Sequence, residues 1–101
     1  RAIDAFRSAL RFESNDKDVH RYLASIYLEV ESWTELKALL QPYQPEGDGD
    51  KGRRELMLGI AHYRLGDTDA AKSALANARK YKKTASSAGQ WLAYIDDITG
   101  R

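Results

Sequence analysis

The chain has no cysteine, which removes disulfides, thiol nucleophiles and cysteine-held metal sites together, and leaves the redox compartment open. Proline is nearly absent as well: its only two copies, Pro42 and Pro45, sit in one short stretch. No excess of one charge exists either, since sixteen basic residues face fifteen acidic ones for a net charge of +1. That balance gives no field to argue for nucleic acid, a membrane surface or acidic substrates. No apolar run approaches the roughly 18 residues of a membrane span, and no alternation of useful length suggests a strand. Arg1 is not an initiator Met and falls inside a helical pattern. The chain is therefore expected to be a fragment whose targeting segment, if it has one, lies upstream.

What is present describes a soluble globular domain: 101 residues, 43% apolar and 31% charged. A domain of that size buries about 60–65% of its unfolded surface, enough for one small core. The most informative stretch runs from Leu58 to Ala78. Leu58, Ala61, His62 and Leu65 fall on one helical face. Gly66-Asp67 interrupts, and Ala71, Ala74, Leu75 and Ala78 resume the pattern. Gly66 supplies a left-handed helix end, and Asp67 caps the amides of the next helix. So tight a turn makes the two helices antiparallel, and the small residues Gly59, Ala61, Ala71, Ala74 and Ala78 let their backbones approach closely.

Around this pair the pattern predicts further helices. One covers Arg1–Phe12, with Ala2, Ala5, Phe6, Ala9 and Leu10 on one side, and Ser14-Asn15-Asp16 breaks it. Lys17–Val30 carries Val19, Tyr22, Leu23, Ile26, Tyr27 and Val30. Ser32 and Glu35 have capping-box spacing and start a helix near Trp33. That helix bears Leu36, Leu39 and Leu40 and ends near Gln41, before Pro42. Residues 42–52 read as the loop of the chain, with helices expected over Arg53–Leu65 and Thr68–Lys82. Thr84–Ser87 reads as a break, and Ala88–Ile98 as the last helix, with Trp91, Leu92 and Ile95 apolar.

The chain also repeats. Ala2, Leu36 and Ala71 correspond, as do Phe6, Leu40 and Leu75, at spacings of 34 and 35 residues. Leu23, Leu58 and Leu92 correspond at 35 and 34. Helix pairs that cannot bury their apolar faces alone stack into a solenoid.

This period and the run Leu58-Gly59, Gly66-Asp67, Ala71, Leu75 and Ala78 resemble the tetratricopeptide repeat (TPR). The resemblance covers nearly the whole chain. Residues 1–16 correspond to the second helix of a truncated repeat, 17–50 to a degenerate repeat, 51–84 to a good one and 85–101 to a capping helix. Glu31 stands where the turn glycine is usual, Leu36 where a small alanine is, and Ser14 and Lys83 where proline often closes a repeat. The fold implied is all-α: antiparallel helix-turn-helix units stacked as a right-handed superhelix. The function implied is recognition of a peptide or protein segment in a concave groove. A second stripe, Leu56, Ile60 and Tyr63, would face that groove with Arg21, Ser25, Leu28, Arg53, Arg64, Gln90 and Tyr94, an apolar, aromatic and arginine-bearing surface suited to such ligands. Packing of Leu56 and Ile60 against neighbouring repeats is the equal alternative. The carboxylate-clamp variety of the family is not expected, because Ser25 and Met57 stand where asparagine would be needed.

No other motif carries chemistry. Gly47-Asp48-Gly49-Asp50-Lys51-Gly52 fits G-x-G-x-x-G by letter but lacks a preceding strand and places two carboxylates where phosphate would sit. Its spacing also fails an EF-hand, so a flexible acidic loop is expected. His20 and His62 lie among apolar neighbours, where a lone histidine is ordinarily a hydrogen-bonded core residue, and no ligand cluster at metal spacing surrounds them. Asp96 and Asp97 point to different sides of a helix. Arg79, Lys80, Lys82 and Lys83 read as cations at a helix end, with phosphate contact the lesser alternative. No catalytic site, metal or cofactor is expected. The primary reading is a protein-interaction module. A non-catalytic regulatory or assembly part of a larger enzyme or envelope complex is the alternative, and an RNA-binding helical repeat the second. Neither nucleic acid nor membrane insertion is expected. The uncovered edge of the first helix, Ile3, Phe6 and Leu10, is expected to meet another chain or upstream repeats.

Overall fold

Helix follows helix without a strand in the computed structural model of this protein, which describes residues 17–99. The helix expected over Arg1–Phe12, the break at Ser14–Asp16 and the edge at Ile3, Phe6 and Leu10 lie outside the described residues. Five helices make up the rest: α1 (Lys17–Glu29), α2 (Trp33–Leu40), α3 (Asp48–Arg64), α4 (Thr68–Ala78) and α5 (Ala85–Thr99). Each packs on its neighbour in sequence, α3 with α4 most extensively, and α3 also touches α5. The result is elongated, about 44 × 25 × 18 Å.

Two chain reversals use one backbone device. After α3, Gly66 adopts φ +91°. Its N–H donates to the Tyr63 carbonyl at 3.1 Å, and the Asp67 N–H donates to the His62 carbonyl at 2.9 Å. This pair of bonds is the Schellman closure of a helix end. After α1, Glu31 adopts φ +58°. Its N–H donates to Leu28 at 3.2 Å, and that of Ser32 donates to Tyr27 at 2.8 Å. The two turns thus coincide bond for bond, 35 residues apart. In each, the residue after the left-handed position opens the next helix. Asp67 accepts from the Ala70 N–H at 3.1 Å, whereas the Ser32 hydroxyl makes no capping bond. The capping box expected from Ser32 and Glu35 therefore does not form, although the helix does start at Trp33.

Three expected boundaries are corrected. Residues 48–52 are not loop but the first turns of α3, with Gly47 as N-cap. Asp48 and Asp50 stand in the first turn of that helix, where negative charge is favourable. Gly52 is buried because a Cβ there would run into the Thr84 hydroxyl and Tyr81. Close packing, not chain flexibility, explains the glycine. α4 ends at Ala78 rather than Lys82, so Arg79 is its C-cap and Lys80, Lys82 and Lys83 follow in the connection. The last helix begins at Ala85, not Ala88. The buried Thr84 hydroxyl donates to the Ala78 carbonyl at 2.8 Å, fixing the short link that lets α5 start early.

Two apolar clusters hold the helices. The first joins Leu23, Ala24 and Tyr27 of α1 to Leu36, Leu39 and Leu40 of α2, and to Leu58 and Ala61 of α3. The second is built on Ala71, Leu75 and Ile95, with Leu56, Tyr63, Trp91 and Leu92 packed against it. α3 feeds both. Of the wide face expected on α1, Leu23 and Tyr27 are buried, while Tyr22 and Val30 are exposed. Leu65, expected on the packing stripe of α3, is exposed too. Where α3 crosses α4, a Cβ on Gly59 would meet Leu75 Cγ at 2.6 Å and the Ala71 carbonyl oxygen at 3.3 Å. Arg54 ties α3 to α2: its guanidinium donates to the Leu40 and Gln41 carbonyls at 2.8 and 2.7 Å and to Glu55 at 2.7 Å. The Leu40 carbonyl also accepts from the Tyr43 N–H at 3.2 Å, so Arg54 adds a second bond there and supplies the Gln41 carbonyl at the end of α2.

The same substitution should act oppositely at two glycines. Gly59→Ala inserts a methyl into a filled space, costing about 1–3 kcal/mol against a helix-propensity gain of about 1, and should lower stability. Gly89, within α5, has nothing within 4 Å of an added Cβ, so Gly89→Ala should raise stability by up to about 1 kcal/mol. Urea unfolding compares the two. At Glu31 the left-handed backbone costs a side-chain-bearing residue about 1–2 kcal/mol. Glycine gives part of that back through unfolded-state entropy, so Glu31→Gly should stabilise by roughly 1 kcal/mol net. That gain raises the Tm by about 4–8 °C in a chain this size.

Candidate recognition face

The odd-numbered helices meet through side chains. Arg21 on α1 donates to Asp50 on α3 at 2.9 Å. Both groups are partly solvated, 49% and 22% exposed, so solvent screens the pair and it contributes little stability. Its effect is orientation: the Asp50 hydrogen bond raises the Arg21 pKa further above its ordinary value and commits this arginine within the fold. Ser25, one turn on, donates to the Arg21 carbonyl at 2.9 Å. Neither matches the free, paired donors of a carboxylate clamp. The narrow space between His20, Tyr43, Arg53 and Met57 is about 20 Å³, room for about one water molecule.

α3 meets α5 through aromatic rings. Tyr63, Trp91 and Tyr94 form a triangle with centroid separations of 6.0, 6.0 and 5.9 Å and interplanar angles of 60°, 77° and 90°. Edge-to-face geometry sets the positive edge of one ring against the negative face of the next, adding about 0.5–1.5 kcal/mol per pair beyond area burial. Arg64 Cζ lies 5.7 Å from the Trp33 ring, 5.9 Å from Tyr63 and 6.0 Å from Trp91, within cation–π range of all three. Beside it a depression of about 340 Å³ is lined by Arg64, Ser87, Gln90, Trp91 and Tyr94, a size in the range of small ligand pockets.

Of the ten residues expected in the groove, Tyr63, Arg64, Gln90 and Tyr94 come together here. Arg21 and Arg53 line one narrow space with Asp50, while Ser25 bonds the Arg21 carbonyl instead. Leu28 packs on the first cluster and Leu56 on the second. Ile60 is half-buried and belongs to neither. Trp33, Ser87, Trp91 and Asp50 were not anticipated in these roles. Trp33 and Trp91 converge on Arg64 from 58 residues apart, and no local pattern signals such a meeting. Of the two histidines, His20 is buried and stacks on Tyr43 at 3.9 Å and 11°. His62 departs from the hydrogen-bonded core reading, since its buried Nδ1 has no hydrogen-bond partner. Among the described residues no cluster of acids and histidines could hold a metal ion, and no helix is long and apolar enough to cross a membrane.

Neither a protein-family model, nor a curated protein, nor a solved structure matches this chain.

The phenol of Tyr63 is held above its ordinary pKa, first by its hydrogen bond with Tyr94 and then by desolvation. A raised pKa means that the folded state favours the neutral phenol. The associated stability is therefore complete below about pH 10 and fades as pH rises through the folded value. Tyr94→Phe should return Tyr63 toward an ordinary phenol pKa. Ring-carbon NMR titration of tyrosine-labelled protein reads the change directly, and an unmoved Tyr63 would contradict the assigned cause.

Proposed function

We propose that this chain is a protein-interaction module of tetratricopeptide type. In this reading its helix pairs stack right-handedly, α5 caps the stack, and a peptide or protein segment lies across α1, α3 and α5. The observation that carries the reading is the continuity of that surface. Arg21–Asp50 joins α1 to α3, and the Tyr63–Trp91–Tyr94 triangle joins α3 to α5. Tyr94 remains 50% exposed at the centre of an aromatic cluster. Ring faces and guanidinium groups left partly wet beside a depression are the residue types that dominate binding energy at protein interfaces. The matching turns at Glu31 and Gly66 support the repeat reading, because equal backbone devices at equal spacing are what stacked units require.

The test is affinity capture on immobilised chain, with Ile60→Glu/Gln90→Ala as the matched control. Ile60 lies outside both apolar clusters and Gln90 is exposed, so circular dichroism should show the control folded. The parent should retain a partner that the control loses. Equal capture by the two proteins would move the function to another surface.

A further inference from the structure

The row along α3 has a charge pattern as well as a shape. Arg53, Met57, Ile60 and Arg64 follow at steps of four, three and four, which places them on one stripe of the helix. Asp50, a turn before Arg53, already accepts from Arg21. Arg53 forms no ion pair among the described residues, so its positive charge is left over. At the far end Arg64 forms no ion pair with a carboxylate among the described residues. The depression beside it offers the Ser87 hydroxyl, the Gln90 amide and two aromatic rings, and no anion. Asp97, a turn beyond Tyr94, is engaged within the fold.

A guanidinium flanked by rings is partly stripped of water yet keeps its edge N–H groups for a planar acceptor. One such fork among neutral donors matches a singly charged carboxylate; a phosphate dianion would call for a second cation at the same point. The step from Arg53 to Arg64 is eleven residues, about 16–17 Å at 1.5 Å each. Six residues of extended chain span about 20 Å at roughly 3.3 Å each, a difference that two long arginine side chains take up, and the even step keeps both acidic side chains on the side that faces the helix. Half-buried Ile60 lies between the two charges.

We propose that the face takes an extended acidic segment of a partner protein, with one carboxylate at Arg53, a second six residues away at Arg64, and an apolar side chain between them on Ile60. This rests on the recognition-face reading and adds to it the chemistry of what binds.

The test pans a displayed library of random dodecapeptides on the full chain. Enriched sequences should share Asp or Glu at i and i+6 around an apolar residue. A representative Glu-pair peptide should bind about tenfold more weakly to Arg53→Gln and to Arg64→Gln. It should recover part of that loss in Arg64→Lys, which keeps the charge and loses the fork. Neutral or basic sequences that disappear on Ile60→Glu/Gln90→Ala would overturn the acidic ligand and keep the binding face. Acidic sequences indifferent to both arginine variants would also overturn it. No enrichment, or enrichment that survives Ile60→Glu/Gln90→Ala, would overturn the face and the ligand together.

Discussion

The distance between α3 and α4 is the constraint on which the other contacts depend. At Gly59 no side chain separates the helices, and Leu75 fills the space a Cβ would take. At Gly52 the same closeness brings α3 onto Tyr81 and Thr84, just past the end of α4. Because α3 supplies Leu58 and Ala61 to one apolar cluster and Leu56 and Tyr63 to the other, its position fixes both. An added methyl at Gly59 would not only crowd one contact. It would shift the wall shared by two cores, and close-packed interiors accommodate such shifts poorly.

The opposite side of α3 is what this arrangement presents to solvent and to α1 and α5. Its arginines divide by what they already hold. Arg54 uses its donors on the Leu40 and Gln41 carbonyls and on Glu55, so it is a structural clamp at the end of α2. Arg21, across from α3, is spent on Asp50. Arg53 and Arg64 have no such acid among the described residues. Arg64 rests among three rings that hold its plane without neutralising its charge. Packing thus orients the candidate recognition surface while leaving part of its electrostatic capacity unused.

The helical architecture was legible because it is written locally. Ala71, Ala74, Leu75 and Ala78, all buried, repeat at helical spacing, and Gly66-Asp67 marks the turn by residue type alone. The equivalent turn at Glu31 was hidden, since glutamate pays for a left-handed backbone that glycine adopts freely. The repeat spacing placed it even though its letter did not. The segment from Asp48 to Gly52 misled for the converse reason. Glycine and aspartate disfavour helix interiors, but Gly52 is required by a contact with Thr84 and Tyr81, some thirty residues away in sequence. The candidate site was half legible. Tyr63 follows from helical register, and Arg64, Gln90 and Tyr94 from the stacking that the repeat resemblance implies, whereas Trp33, Ser87 and Trp91 join them only through tertiary packing.

The central claim is that one helix couples both clusters into a single unit. The chain has two tryptophans, and each reports one cluster: Trp33 packs on the first and Trp91 on the second. Equilibrium urea unfolding followed in Trp91→Phe and Trp33→Phe backgrounds, each with and without Gly59→Val, reads the coupling directly. The account predicts coincident transitions whose midpoints fall by the same amount at both probes. A midpoint that moves at Trp91 while Trp33 stays in place would contradict it, and α3 would then be a boundary between two independent units rather than their shared wall.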